Sequence, residues 1–315
     1  MVFSPVQASI EGFRFIRDRP RPVTIWMLAL LALNLAATAF NLSPWAQRLK
    51  ELRTSFGFDW SVAAFADLAV HLLPAIIIAL FLTFASLCII APSIFRVMLG
   101  QTRSPVFRLG ADEARMFWLF LAVLVLITLA AVPSGVLLGY SRVYAGRLAE
   151  TVGLRWIVPI LSQFLSFLLF AFIVLRSSLA ALIEVDTHKL DIRASWDLTR
   201  GHFWRMLAAA LLAFLLVLLV ILSARGLFYV LGTVIAFASG IDQQQFHDFV
   251  WPPPEAGVLV HFGPGPIMWK VILAAEQTVG FCVACGSLVY AYRTMSGRGD
   301  EPPAWLEDEA VDQPV

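Results

Sequence analysis

The stretch Met206-Leu-Ala-Ala-Ala-Leu-Leu-Ala-Phe-Leu-Leu-Val-Leu-Leu-Val-Ile-Leu-Ser223 carries no charged side chain. As an α-helix it reaches about 27 Å at 1.5 Å per residue, close to the roughly 30 Å hydrocarbon core of a bilayer. Its apolar residues are continuous rather than alternating, which excludes a barrel strand. A helix satisfies all its backbone groups internally, as lipid requires. Five further stretches have the same character, at 23–40, 71–92, 117–139, 156–175 and 267–290. The expected fold is therefore all-α: a polytopic integral membrane protein with six transmembrane helices plus short amphipathic interfacial helices. Composition agrees. Of 315 residues, 59% are hydrophobic and 14% charged, against about 25% charged in soluble domains. The net charge of +1 argues against a nucleic-acid partner, which is held by neutralising phosphates.

The segments flanking the spans carry their own signals. Taken to residue 239, the quoted run would reach about 51 Å, too long for one span. Arg225-Gly226 is read as its break, with 227–239 interfacial or re-entrant on the outer side. Residues 61–70 are read the same way, with Pro74 kinking the helix that follows. Ser4-Pro5 supplies an N-cap and an N1 proline, and Gln7 completes a capping box. Val6, Ile10, Phe13 and Ile16 then recur at helical spacing, as in an amphipathic helix on the inner leaflet. Pro20 and Pro22 end it. Ala37-Thr38-Ala39 has the form of a signal-peptide cleavage site, but the long, structured polar lead favours an uncleaved span. Ser43-Pro44 opens another amphipathic helix, with Trp45, Leu49 and Leu52 on one face. Residues 240–266, rich in Gln, Pro and Gly, read as an outer loop with little regular structure. The membrane domain thus covers 1–296, and 297–315 is expected to be an acidic disordered cytoplasmic tail.

Orientation follows from the basic residues. Arg14, Arg17, Arg19, Arg21, Arg96, Arg103, Arg108, Arg115, Lys189, Arg193, Arg200, Arg205, Arg293 and Arg298 fall in one set of connections. The alternate set holds only Arg48, Lys50, Arg53, Arg142, Arg147, Arg155, Arg225 and Lys270. The richer set faces the cytoplasm, with both termini there. Trp26, Trp118 and Trp204 sit near the inner charges, as an aromatic belt would. The ends of spans two and six also match without a gap: Phe84, Cys88, Phe95, Arg96, Met98 and Gly100 align with Phe281, Cys285, Tyr292, Arg293, Met295 and Gly297. Both copies end on the inner face, which makes this a parallel repeat.

No Walker-type loop, H-E-x-x-H or G-x-S-x-G is present, so no catalytic residue, metal ligand or cofactor is assigned. Cys282-Val-Ala-Cys285 has redox spacing but lies within a span, where packing explains it better than reactivity. Ionisable residues inside the membrane are the stronger clue, since each costs about 2.5–3.5 kcal/mol near a helix centre. Glu276 lies well inside span six, with Gln277 beside it. It is read either as a proton, cation or lipid-amine site or as a hydrogen-bonded helix tie. Asp67 and His71, four apart, share a helical face and suit a relay or half a metal site; a solvated interfacial pair is the plainer reading. Arg176, Glu184 and Arg225 lie at span ends, where snorkelling explains most arginines.

The densest motif is Ala194-Ser-Trp196-Asp-Leu-Thr-Arg200-Gly-His202-Phe-Trp204-Arg205. Aromatics and cations at one depth anchor headgroups and hold lipid phosphate. With Arg176 and Glu184 before it, and Ala291-Tyr-Arg-Thr-Met-Ser-Gly297 after it, this run resembles the multi-span bacterial family named for the membrane domain of glycerophosphoryl diester phosphodiesterase. The resemblance implies an inner-membrane location and a helical fold. Some members carry a separate soluble phosphodiesterase domain; the tail after span six leaves no room for one, so hydrolysis is not implied. The expected function is non-enzymatic: a membrane scaffold or lipid-associated accessory protein of the bacterial inner membrane. Trp196, Arg200, His202, Trp204 and Arg205 would be its inner-face contact. Membrane lipids, another membrane protein or a second copy are the expected partners. A transporter using Glu276 is the alternative. A lipid-modifying enzyme comes third, drawing on Asp67, His71, His247, Asp248 and His261.

Overall fold

The computed structural model describes residues 3–44, 46–47, 77–78, 86–102, 105, 107, 110–148, 154–189, 191–253 and 256–298, and of 86, 130–148, 154–159 and 162 the backbone alone. Every regular element among them is helical: α1 (Pro5–Asp18), α2 (Pro20–Asn41), a π-helical turn (Ser86–Ile90) running into α3 (Ala91–Met98), α4 (Ala111–Leu148), α5 (Leu154–Thr187), α6 (Ile192–Leu198), α7 (Phe203–Ala238), α8 (Gln243–Val250), a 3-10 turn (Val258–Phe262) and α9 (Pro264–Met295).

Among the described residues four helical segments, not six, are long and apolar enough to cross a membrane: Pro20–Asn41, Gln163–Thr187, Phe203–Ala238 and Pro264–Met295. They contain or overlap the stretches expected at 23–40, 156–175, 206–223 and 267–290. The stretch 71–92 lies mostly outside the described residues, as do 61–70, Pro74, Trp45, Leu49 and Leu52. The stretch 117–139 lies within α4, whose side chains are described only to residue 129.

Two expectations are corrected. Arg225-Gly226 does not break α7, which runs unbroken for 36 residues, about 54 Å. Glycine weakens a helix by only about 1 kcal/mol against alanine, and the charge that argued for surfacing is neutralised by a partner from α9. Residues 240–266 are also more ordered than their composition suggests. Asp242 caps α8, accepting from the Gln245 backbone N–H at 2.7 Å, while the Gln245 side chain accepts from the Asp242 backbone N–H at 3.2 Å. That reciprocal box supplies a helix start inside a Pro- and Gly-rich segment.

α1 forms where expected and ends before Pro20, but it buries a different face. Ala8, Ser9 and Phe15 are enclosed, whereas Val6 is exposed. A methyl group on Gly12 would overlap the Cys282 carbonyl and the Val283 Cα of α9, so the approach of these two backbones requires glycine. The Ser287 hydroxyl donates to the Ala8 carbonyl at 2.8 Å, and the Tyr290 hydroxyl to Gln7 at 2.6 Å. Small residues thus face the last helix, and the stripe through Val6, Ile10, Phe13 and Ile16 is left on the less buried side. Trp26 is likewise enclosed and stacks on Phe15 at 5.9 Å; of the three expected belt tryptophans, only Trp118 and Trp204 are exposed.

The chain divides into two compact units: Met1–Glu11, Pro92–Ala213 and Cys285–Val315 form the first, and Gly12–Ala91 with Phe214–Ala284 the second. In the first, α4 packs along α5 and α6 against α5, around Ile94, Met98, Met116, Leu119, Leu179 and Leu182. The aligned ends of α3 and α9 also share a backbone geometry here. Gly100 and Gly297 have φ 75° and 82°. Beyond each, an N–H returns to the carbonyl of the repeat's arginine: Gln101 to Arg96 and Arg298 to Arg293, both at 2.9 Å. Each is a Schellman stop that needs glycine in the left-handed region. In the second unit, Phe228, Tyr229, Phe246, His247, Trp251 and Trp269 form one aromatic cluster, with neighbouring ring centroids 5.1–6.4 Å apart.

Candidate functional site

Glu276 sits near the middle of α9 and is held by Arg225 of α7. Arg225 Nε donates to both carboxylate oxygens at 3.1 Å, and its Nη2 to Oε2 at 2.8 Å. The glutamate side chain is 4% exposed and the arginine 42%. The guanidinium also stacks over Trp269, 5.5 Å from the ring centroid, so aromatic and carboxylate together fix it. Next to it, Asn34 of α2 donates to the Gln277 side chain at 2.9 Å. Three helices are tied here by polar contacts, in a setting where a lone carboxylate would be costly. Sequence reasoning singled out Glu276 and missed its partner, because Arg225 lies 51 positions away and reads on its own as the end of a span.

The inner motif separates into a fixed half and an exposed half. Asp191 caps α6 by accepting from the Ala194 N–H at 2.9 Å. The buried Ser195 donates to the Arg176 carbonyl at 2.5 Å, and the buried Thr199 to the Ser195 carbonyl at 2.9 Å. Trp196 lies under the Arg176 guanidinium, 5.5 Å from centroid to Cζ, and meets Phe172 edge-on at 5.9 Å. Gly201, at φ 82°, then turns the chain into α7. Arg200, Trp204 and Arg205 are exposed, Trp204 to 71%, and His202 is half-buried with its ring nitrogen 3.2 Å from the Arg200 carbonyl.

A third assembly, in the same unit, went unnoticed in the sequence. Arg96 Nη2 donates to Glu113 at 2.7 Å, both side chains being buried, and lies 3.5 Å from Asp112. Glu113 uses its other oxygen to cap α4, accepting from the Gly110 N–H at 2.9 Å. Arg115 bonds Asp112 at 3.1 Å and the His188 carbonyl at 2.9 Å, and His188 Nδ1 lies 3.2 Å from Asp112. Glu184 is fully buried, and neither of its oxygens has a hydrogen-bond partner. Its ion-pair contact is Arg115 at 3.9 Å. Two residues on, Asp186 accepts from the Tyr292 hydroxyl at 2.7 Å and from Arg298 at 3.2 Å. The signal was available: Asp112-Glu113 at a helix start, with Arg96 as the repeat's arginine.

No family model, curated protein or solved structure matches this chain. The remaining sequence candidates fall partly outside the described residues. Asp67 and His71 lie outside the described residues. His247 stacks on Trp251 at 5.2 Å and lies 3.4 Å from Asp248. His261 sits apart on the 3-10 turn, with a buried ring nitrogen lacking a partner. Among the described residues, no three His, Cys, Asp or Glu side chains gather closely enough to hold a metal ion. Cys88, Cys282 and Cys285 are buried, and no disulfide joins them.

Proposed function

We propose that this chain is a six-span protein of a bacterial inner membrane, related to the family its inner motif resembles, with both termini in the cytoplasm. It acts without covalent chemistry, as a scaffold or lipid-associated accessory protein. The stretches 71–92 and 117–139 supply the two spans beyond the four described, the second of them within the continuous helix α4. The observation that carries the functional reading is the division of the inner motif. Ser195 and Thr199 are spent on the fold, while Arg200, Trp204 and Arg205 stand exposed beside them. Neither Arg200 nor Arg205 makes an ion pair among the described residues. Cations flanking an exposed tryptophan at the mouth of a span match the charge and polarity of an anionic inner leaflet. Transport through Glu276 finds less support. A proton or cation would have to displace Arg225 from a carboxylate it already holds through three hydrogen bonds.

Native mass spectrometry of the protein, extracted gently from its own membrane, tests this reading. A retained lipid or protein partner, lost when Arg200 and Arg205 are both replaced by Gln, is the expected result. A bare wild-type protein would sink it.

A further inference from the structure

Arg176 follows directly on the apolar run 156–175, at the depth where that run should meet the inner headgroups. Its guanidinium lies against two rings that meet edge-on, 4.9 Å from Phe172 and 5.5 Å from Trp196, with Phe203 packed on Phe172 at 5.5 Å. The Ser195 hydroxyl, bonded to the Arg176 carbonyl, pins α6 to this point of α5. The arginine is built in, yet among the described residues no carboxylate pairs with it. Its Nε–H and the Trp196 Nε1–H are both buried donors with no acceptor among the described residues. A snorkelling arginine would carry these donors to water; here the rings hold them inside. Buried donors are nearly always satisfied, and an unsatisfied pair calls for an acceptor that the described residues do not supply.

We propose that Arg176 and Trp196 form a binding site for the phosphate of an anionic phospholipid headgroup from the inner leaflet. The inference rests on the lipid-associated reading above and names the ligand chemistry. A phosphate brings negative charge and several acceptor oxygens, which suits a guanidinium fixed beside an indole N–H. The surrounding surface selects a lipid over free phosphate. Leu165 and Leu169 are exposed, and lie at helical spacing with Phe172 and Arg176 on one face of α5. They form an apolar track leading to the half-buried Arg176, along which an acyl chain can lie while its phosphate meets the accessible side of the guanidinium. Arg200 and Arg205 then supply the wider positive field, and Arg176 and Trp196 the specific contact.

The test is a native mass-spectrometric titration of the full-length, delipidated protein with dihexanoyl phosphatidic acid, and separately with inorganic phosphate. Wild type is expected to take up one lipid, and inorganic phosphate to bind at least about tenfold more weakly. Arg176→Gln removes a charge-assisted donor set and should weaken lipid binding by about tenfold or more. Trp196→Phe keeps a ring under the guanidinium but deletes the N–H; it should weaken binding by about threefold with an unchanged unfolding temperature. This variant decides the matter if Arg176→Gln does not fold. Wild-type affinity in both variants overturns the site, and loss of lipid in Arg200→Gln/Arg205→Gln alone does so while leaving the broader reading standing. Equal affinity for inorganic phosphate overturns the lipid as ligand. A wild-type protein that takes up no lipid removes both.

Discussion

The two charged assemblies of this molecule solve the same problem in opposite ways. At Arg225–Glu276 one cation meets one anion, three hydrogen bonds close the pair, and Trp269 covers the guanidinium. In the unit that holds Arg96, three carboxylates (Asp112, Glu113 and Glu184) face two guanidiniums, Arg96 and Arg115, with His188 at the edge. Arg96 and Glu113 take the best geometry, and Glu184 is left fully buried with neither oxygen hydrogen-bonded. A closed pair is a tie between helices. A network one cation short leaves Glu184 with an ion-pair contact no nearer than Arg115 at 3.9 Å. Burial alone therefore does not distinguish a closed pair from an open network; the count of opposite charges within reach does.

The comparison breaks most visibly at the closed pair. Arg225→Leu strands Glu276 without a cation and should cost about 3–5 kcal/mol, whereas Arg225→Leu/Glu276→Leu should recover most of that loss. Unfolding in detergent, monitored by circular dichroism, reads both. A double variant as unstable as the single one would show that the pair does more than tie helices. In the network, Arg96→Met leaves the buried Glu113 with its Gly110 cap alone, and about 2–3 kcal/mol should be lost in the same assay. A loss under about 0.5 kcal/mol would mean that Asp112 and Glu113 are satisfied without it. The smallest effect sharpens the contrast by its sign. Glu184→Gln removes the surplus negative charge at constant shape and should be neutral or stabilising by about 1 kcal/mol. Glu276→Gln, which spoils a balanced pair, should destabilise. Equal losses from the two would end the distinction.

Helix existence was legible in the sequence wherever one solvent decided it. Pro20 starts α2 and Pro264 starts α9 because their apolar runs leave lipid as the solvent and proline fits a first helical turn. The Schellman ends at Gly100 and Gly297 were legible as a repeat of letters, though not as a backbone geometry. What stayed hidden depended on a partner distant in the chain. Arg225 reads as a span end until Glu276 is beside it, and the burial of Gly12 rather than Ile10 requires the backbone of α9. The capping box of Asp242 and Gln245 was local and readable, yet the prolines and glycines around it outweighed it. At the candidate site, the motif's residues were evident but the division of labour among them was not. Ser195 and Trp196 look as accessible as Trp204 until α5 is placed against α6.

The seat of α1 carries a consequence for how the chain is made. Gly12 meets Cys282 and Val283, and Ala8 meets Ser287, so α1 gains this packing surface only once α9 has been synthesised. Until then its small-residue face lacks the partner that covers it here. A chain cut short anywhere before residue 282 would display Ala8, Ser9 and Gly12 uncovered at its N-terminus.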